Sequence, residues 1–377
     1  MSGSSQIRVV VADDSPFIRG LVASYLASDA GFAVVGQAAN GIDAIDAVHR
    51  LQPDVVTLDL EMPEMDGLEA LRIIMETHPT PVVAISGVSG KAATRTLQAL
   101  DVGAVDFVLK FSPGVVVDPE TLAREILGKV RLAAGIQVVR LLDRVKETVA
   151  RKTGAAPQVA AKGYAGLLPG LVVIGASTGG PMALRELLGE LPAGFRAPVV
   201  VVQHIPAFFT SVLAAQLNRY CPLPVREAEE GDILTPGMVY VAPGGYHFLL
   251  QTGLRIDLQK GKERPGEHCP SIDAAMESAA RLLGARTAGV LLSGMGVDGA
   301  AGLLSIRRAG GRTFAQNEET SVVFGMPKRA IELGAAMTVS SPAGIGVTLA
   351  REFGAAVVAA GPELTAAAAT GGLHVTR

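Results

Sequence analysis

The sequence predicts an α/β protein built from two doubly wound domains. Short Val- and Ile-rich runs alternate with stretches of helical length, and this alternation occurs twice, over 7–128 and again over 169–356. Between them lies a segment rich in Ala, Gly and Pro. Strands covered on both faces read as continuous apolar runs, and strand–helix alternation implies parallel sheets with helices on both sides. The length of 377 residues suits two or three domains, and an apolar content of 49% is enough for substantial cores.

The first domain contains five strand candidates: "IRVVVADD", "FAVVGQ", "DVVTLDL", "PVVAISG" and "AVDFVLK". Helical stretches such as Gly41–Leu51 and Leu68–His78 separate them, giving a five-stranded parallel sheet. Leu122–Lys146 is helix-compatible and basic, and it leads into "TGAAPQVAAKGYAGLLPG", so 129–168 is assigned as a linker. The second domain offers "LVVIGAS", "APVVVVQH", "GMVYVAP" followed by "HFLLQT", and "TAGVLLSGM". Glycine-rich turns within "VYVAPGGYHFLLQTGLRIDL" suggest an antiparallel hairpin attached to a mainly parallel sheet. Residues 357–377 are an Ala/Gly-rich tail with little to pack.

Charge is unevenly spread. Residues 1–130 carry a net −8, residues 131–170 a net +5, and residues 171–377 balance at zero. The second domain lacks the basic surplus of a DNA-binding module, so no nucleic-acid partner is expected. Two cysteines, Cys221 and Cys269, fit a reduced chain without a disulfide framework or zinc cluster. The amino terminus shows no signal-peptide pattern, and no apolar run approaches the ~18 residues of a membrane span. The expectation is a cytoplasmic protein without membrane insertion.

Asp13 and Asp14 end the first strand candidate, and Asp59 lies near the end of the third. Carboxyl ends of strands in a doubly wound sheet share one edge, where ligands bind. Three carboxylates gathered there suit Mg²⁺, which takes oxygen ligands and accepts a phosphoryl group. Ser86 and Lys110 end the fourth and fifth strands, bringing a hydroxyl and an ammonium to the same edge. An aspartate so surrounded is equipped to become an acyl phosphate. "ADDSPFIR", "VVTLDLEMPEMDGLEAL", "AISG" and "AVDFVLK" resemble response-regulator receivers, a flavodoxin-like fold. The resemblance implies phosphorylation at Asp59 by a histidine kinase. It also implies metal ligation by Asp14 and Asp59 with the Glu61 backbone, and support from Asp13, Ser86 and Lys110. Phe111 follows the lysine where many receivers have Pro.

In the second domain, "GASTG" at 175–179 fits G-x-S-x-G, a strand-to-helix turn that exposes a nucleophilic serine. A phosphate cradle would use the same free N–H groups. The dinucleotide fingerprint fails because Ser177 occupies its second glycine position, and the Walker pattern lacks its Gly-Lys-Ser/Thr. His204 closes "PVVVVQH" and Asp298 follows "GVLLSGMGVD", so a hydroxyl, an imidazole and a carboxylate reach one sheet edge. Of the other histidines, His247 falls in the hairpin, where a half-buried, hydrogen-bonded role is expected; His268 lies in a polar loop that could border substrate. The order Ser, His, Asp differs from the Ser, acid, His of α/β-hydrolases.

"VVIGASTGGP", "VVVVQHIP", "VYVAPGGYH", "CPSIDAAMES" and "LLSGMGVDGAAGL" resemble, in that order, the catalytic domain of CheB-type chemotaxis methylesterases. The resemblance implies a phosphorylation-activated serine esterase acting on glutamate methyl esters of methyl-accepting chemotaxis receptors, with deamidation of receptor glutamines as a second activity. It implies Ser177 as nucleophile, His204 as base and Asp298 as its orienting acid. Backbone N–H groups of Thr178 and Met295 are the oxyanion candidates. No cofactor is expected for the ester step; Mg²⁺ belongs to the receiver, and the chemotaxis histidine kinase is the expected phosphodonor.

Overall fold

The computed structural model describes residues 6–110, 118–136, 170–261 and 268–353. In the first domain β1 (Ile7–Ala12), β2 (Phe32–Ala38), β3 (Val55–Asp59), β4 (Val82–Ser86) and β5 (Asp106–Leu109) form one parallel sheet in the order β2-β1-β3-β4-β5. Helices α1 (Pro16–Ala27), α2 (Gly41–Leu51), α3 (Gly67–Thr77), α4 (Gly90–Val102) and α5 (Pro119–Ala134) follow the strands in turn. Local sequence sets their starts. Ser15, Asn40, Asp66, Ser89 and Asp118 each accept a backbone N–H of the first turn, which satisfies a donor the helix leaves free. The order reverses between β1 and β3, so Asp13, Asp14 and Asp59 emerge at the crevice of the switch point.

The expected linker start at 129 falls inside α5. Val130 and Ala133 are buried in the receiver core, and Lys129 bonds to the Phe107 carbonyl at 2.5 Å. Apolar spacing continues past 128, and packing rather than charge decides where the helix stops. The remainder of the linker, Phe111 and the 357–377 tail lie outside the described residues.

The second domain has a seven-stranded sheet, ordered β14-β13-β12-β6-β7-β9-β8 and parallel at every pairing. Its strands are β6 (Leu171–Ala176), β7 (Val199–Gln203), β8 (Val225–Glu227), β9 (Val239–Val241), β12 (Thr287–Leu291), β13 (Arg312–Gln316) and β14 (Thr338–Ser340). Its helices are α6 (Gly180–Gly189), α7 (Ala207–Leu217), α8 (Ile272–Leu283), α9 (Ala300–Arg308), α10 (Met326–Glu332) and α11 (Pro342–Phe353). The order reverses at β6, which lies between β12 and β7. A ligand crevice therefore opens where Ser177 leaves the sheet.

The expected antiparallel hairpin is present. β10 (Tyr246–Gln251) pairs antiparallel with β11 (Arg255–Lys260) as a separate two-stranded sheet, while "VYV" is a parallel strand of the main sheet. Phe248 and Ile256 turn their side chains into the core that α8 covers. β8 and β13 escape a reading of apolar runs because they carry Arg226 and Glu227, and Arg312 and Gln316; β14 escapes it because it is only three residues, Thr338–Ser340.

The two domains share a buried contact. One continuous apolar cluster includes Ala93, Leu97 and Phe107 of the first domain with Phe209, Leu213 and Leu217 of the second. Phe107 stacks on Phe209 at 4.8 Å between ring centroids. Asp101 on α4 accepts from Arg185 at 3.2 Å and from Gln216 at 2.5 Å. Among the described residues no helix is long and apolar enough to cross a membrane.

Candidate active site and receiver site

Ser177 sits one residue beyond β6, on a turn that needs an unusual backbone. Gly179 has φ +75°, and a Cβ there would lie 2.5 Å from Val322, so only glycine is accommodated without strain. The turn is fastened from three sides. Ser177 N–H donates to the Ser293 carbonyl at 2.9 Å, Gln203 Nε2 donates to the Ser177 carbonyl at 2.9 Å, and Ser293 Oγ donates to the Thr178 carbonyl at 2.8 Å. Ser293 N–H in turn donates to Gln316 at 2.7 Å. Gln203, Ser293 and Gln316 are buried and fix the turn, yet sequence reading passed over them. A polar residue ending an apolar strand is the one signal that could have marked Gln203 and Gln316.

β6 and β7 pair with Ala176 opposite Gln203, and His204 N–H donates to the Ala176 carbonyl at 3.0 Å. The register thus sets His204 next to Ser177 at the carboxyl edge. Ring Nε2–H of His204 donates to Asp298 Oδ2 at 2.8 Å. Ring Nδ1 is buried and has no hydrogen-bond partner among the described residues, Ser177 Oγ included. Such a contact is often long in a ligand-free hydrolase and closes with substrate.

Asp298 arrives from the loop after β12 and lodges at the amino end of α8. Its oxygens accept from Ile272 N–H at 2.8 Å, Asp273 N–H at 2.9 Å, Gly299 N–H at 3.0 Å and Ser271 Oγ at 3.2 Å. Burial by itself would raise this carboxyl. The His204 hydrogen bond and charge, joined by the Asp273 and Ile272 N–H groups, outweigh it and hold the pKa well below the usual range. Asp298 is therefore an anion at any physiological pH. Neighbouring Asp273 moves the other way, pushed up to about 6 by burial despite the Gly302 N–H, with the Asp298 charge adding to the rise.

Thr178 N–H and Met295 N–H donate to no acceptor among the described residues, which leaves both available to an oxyanion. Gly294 lies against Ser177, where a Cβ would approach the serine Cβ to 2.6 Å, and this brings the Met295 backbone to the nucleophile. The Thr178 side chain reaches the other way, donating Oγ1–H to Asp106 Oδ2 of the first domain at 2.5 Å. His268 is exposed, and its ring stacks on that of His204. His247 is half-buried as expected, with Nε2 toward Gly261, and its Nδ1 has no hydrogen-bond partner among the described residues.

In the first domain Asp13, Asp14 and Asp59 bring carboxylate oxygens within 4.8 Å of one another. Lys110 Nζ pairs with Asp59 at 2.5 Å and with Asp13 at 3.0 Å. Burial pushes Asp59 up to about 6, against the opposing hydrogen bond and charge of Lys110. One ammonium does not neutralise three acids, and an all-oxygen set of this size fits a Mg²⁺ ion. Asp13, expected only in support, stands with Asp14 and Asp59 in the cluster. Glu61 contributes its N–H to Asp59 Oδ1 at 3.1 Å. Ser86 accepts from Thr96 Oγ1 at 2.5 Å and donates to the Gly87 carbonyl, so its hydroxyl is parked beside the site.

Known proteins match both halves. The family model described as CheB methylesterase matches residues 172–349, and that for response regulator receiver domains matches 9–114. A protein of Archaeoglobus fulgidus named protein-glutamate methylesterase/protein-glutamine glutaminase is 44% identical over 342 residues, covering 88% of this chain and 94% of its own. The chain belongs to the CheB methylesterase family. A same-named protein of Symbiobacterium thermophilum is 42% identical over 358 residues, covering 92% of this chain and 97% of its own. The crystal structure of the Thermotoga maritima CheB methylesterase catalytic domain is 41% identical. It aligns with a TM-score of 0.47, covering 49% of this chain and 98% of that one.

Proposed function

We propose that the protein is a phosphorylation-activated serine esterase that hydrolyses glutamate γ-methyl esters of methyl-accepting chemotaxis receptors in the cytoplasm, and deamidates receptor glutamines at the same site. The observation that carries this reading is the His204 imidazole, set beside Ser177 by the β6–β7 register and tied by Nε2 to an anionic Asp298, with a buried Nδ1 that has no hydrogen-bond partner among the described residues. In this reading Ser177 Oγ attacks the ester carbonyl carbon and its proton passes to His204 Nδ1. Asp298 holds the ring in the Nε2–H tautomer and stabilises the transient imidazolium. The N–H groups of Thr178 and Met295 receive the developing oxyanion, each worth about 3–4 kcal/mol in such sites. The imidazolium protonates departing methoxide, methanol leaves, and His204 then takes a proton from the water that splits the acyl-enzyme. The products are a receptor glutamate and regenerated Ser177; an amide substrate releases ammonia instead.

The receiver supplies control. Asp13, Asp14 and Asp59 would hold Mg²⁺, which supplies charge neutralisation for phosphoryl transfer from the chemotaxis histidine kinase to Asp59. Lys110, already paired with Asp59, is on the segment that ends β5, three residues beyond Phe107 and four beyond Asp106. Those two residues touch Phe209 and Thr178 of the esterase. In the unphosphorylated state the receiver thus lies against the nucleophile turn. A modest differential contact is enough to shift such a two-state population.

Two outcomes test this control. Asp59→Asn should leave basal methanol release from methylated receptor membranes unchanged and abolish its stimulation by a small-molecule phosphodonor; stimulation equal to wild type would remove the phosphorylation claim. Asp106→Ala removes the acceptor for Thr178 Oγ1, and a contact of 1–2 kcal/mol corresponds to a rise of about 5–30-fold in the open population. The basal rate of the unphosphorylated protein should rise accordingly, and an unchanged basal rate would show that the contact does not restrain activity.

A further inference from the structure

His268 begins the four-residue approach to α8, and its ring lies face to face with that of His204. The centroids are 3.9 Å apart and the planes differ by 16°. Among the described residues the His204 ring has a single hydrogen-bonded anchor, Nε2–H to Asp298. One such bond leaves the ring able to turn about the bond axis, and turning changes where Nδ1 points. A second ring in van der Waals contact along the face blocks that turn. His268 is exposed overall, but partial desolvation of its ring, reinforced by the adjacent His204, lowers its pKa below the ordinary histidine value, while Asp298 pulls it upward. His268 is thus neutral near neutral pH, and the face of a neutral aromatic ring attracts a cation. His204 becomes that cation in the transition state.

We propose that His268 is a positioning residue of the esterase, whose stacked ring fixes the plane of the His204 imidazole and favours its protonated form during acyl transfer. This rests on the Ser177–His204–Asp298 reading above. The role assigned to His268 acts through His204 and does not require contact with substrate, so it separates kcat from KM. Stacking needs a planar ring but no ring nitrogen, so phenylalanine should substitute where alanine does not.

The test follows methanol release from methylated receptor membranes by the full-length phosphorylated protein. His268→Ala should lower kcat by about tenfold, the scale of one aromatic pair, with KM within about twofold of wild type. His268→Phe should recover at least a third of the wild-type kcat. The inference is overturned if His268→Ala retains wild-type kcat, if its loss lies in KM alone, or if a folded His268→Phe is no more active than His268→Ala. Thermal melting establishes folding of each variant. If the alanine protein does not fold, the phenylalanine variant decides by the same one-third criterion. Ser177→Ala in the same assay separates the two layers. Its retention of turnover would sink the triad itself, whereas a dead Ser177→Ala beside a fully active His268→Ala removes only the stacking role.

Discussion

Ser177→Ala should reduce methanol release from methylated receptor membranes by about 10⁴-fold or more, to the residue of catalysis that oxyanion donors and binding alone provide. The substitution removes the atom that would bond to the substrate carbon and leaves the rest standing. The turn is held through the Ser177 N–H, the Ser177 carbonyl and the Thr178 carbonyl, none of which belongs to the lost side chain. The melting temperature should therefore stay within about 2 °C of wild type, since a surface-like change without a broken bond stays within about 0.5 kcal/mol. A fluorophosphonate probe should add one covalent label to the wild-type protein and none to the variant, read by intact mass. Turnover within tenfold of wild type, or labelling that persists, would assign the nucleophile elsewhere.

The second large effect is expected at Asp298. Asp298→Asn keeps size and shape but exchanges one acceptor oxygen for an NH₂ group. Every partner of the carboxylate is a donor: His204 Nε2–H and Ile272 N–H meet Oδ2, while Asp273 N–H, Gly299 N–H and Ser271 Oγ meet Oδ1. An amide satisfies only one of these sets and sets its own donor against the other. With its oxygen at the Oδ1 position it keeps the Asp273 and Gly299 contacts, but its NH₂ faces His204 and the Ile272 N–H, which favours the wrong imidazole tautomer. With its oxygen at the Oδ2 position, its NH₂ opposes the Asp273 and Gly299 N–H groups. The expectation is a loss of about 10⁴-fold in kcat, with destabilisation of about 1–3 kcal/mol from the unmatched donors. Thermal or urea unfolding measures the second quantity independently of the first. A variant with kcat within tenfold of wild type would remove Asp298 from the catalytic assignment, whatever its stability.

The pH dependence of Asp298 follows from the same contacts. Its folded pKa is depressed, so the stability it contributes is complete above the ordinary carboxyl pKa and is lost only as pH falls through the depressed value. Near neutral pH its charge is constant, and changes of activity there originate in other groups.

Much of this organisation was legible in residue order. Valine runs ending in Asp13, Asp59, Ser177 and His204 gave both the parallel sheets and the chemistry at their carboxyl edges, because a buried parallel strand writes its burial and its end directly into composition. β8, β13 and β14 were not legible. β8 and β13 carry charged or amide residues, β14 is only three residues long, and all three are strands because a neighbouring strand offers an edge. The hairpin was visible, but that it forms a two-stranded sheet of its own was not. Apolar pattern marks β9 and β10 alike, and only packing sends the former into the seven-stranded sheet.

Sequence alone established two α/β domains, an acidic phosphoacceptor corner and a serine, histidine and aspartate in compatible places, since each depends on local pattern and strand ends. The tertiary structure decided which imidazole nitrogen faces Asp298, the stacking of His268 on His204, the fastening of the Ser177 turn by Gln203 and Ser293, and the contact of Asp106 with Thr178. These are pairings between groups as few as 26 and as many as 115 residues apart in sequence. Periodicity carries no record of such pairs, because the choice among many possible long-range partners is made by the packing of the whole sheet.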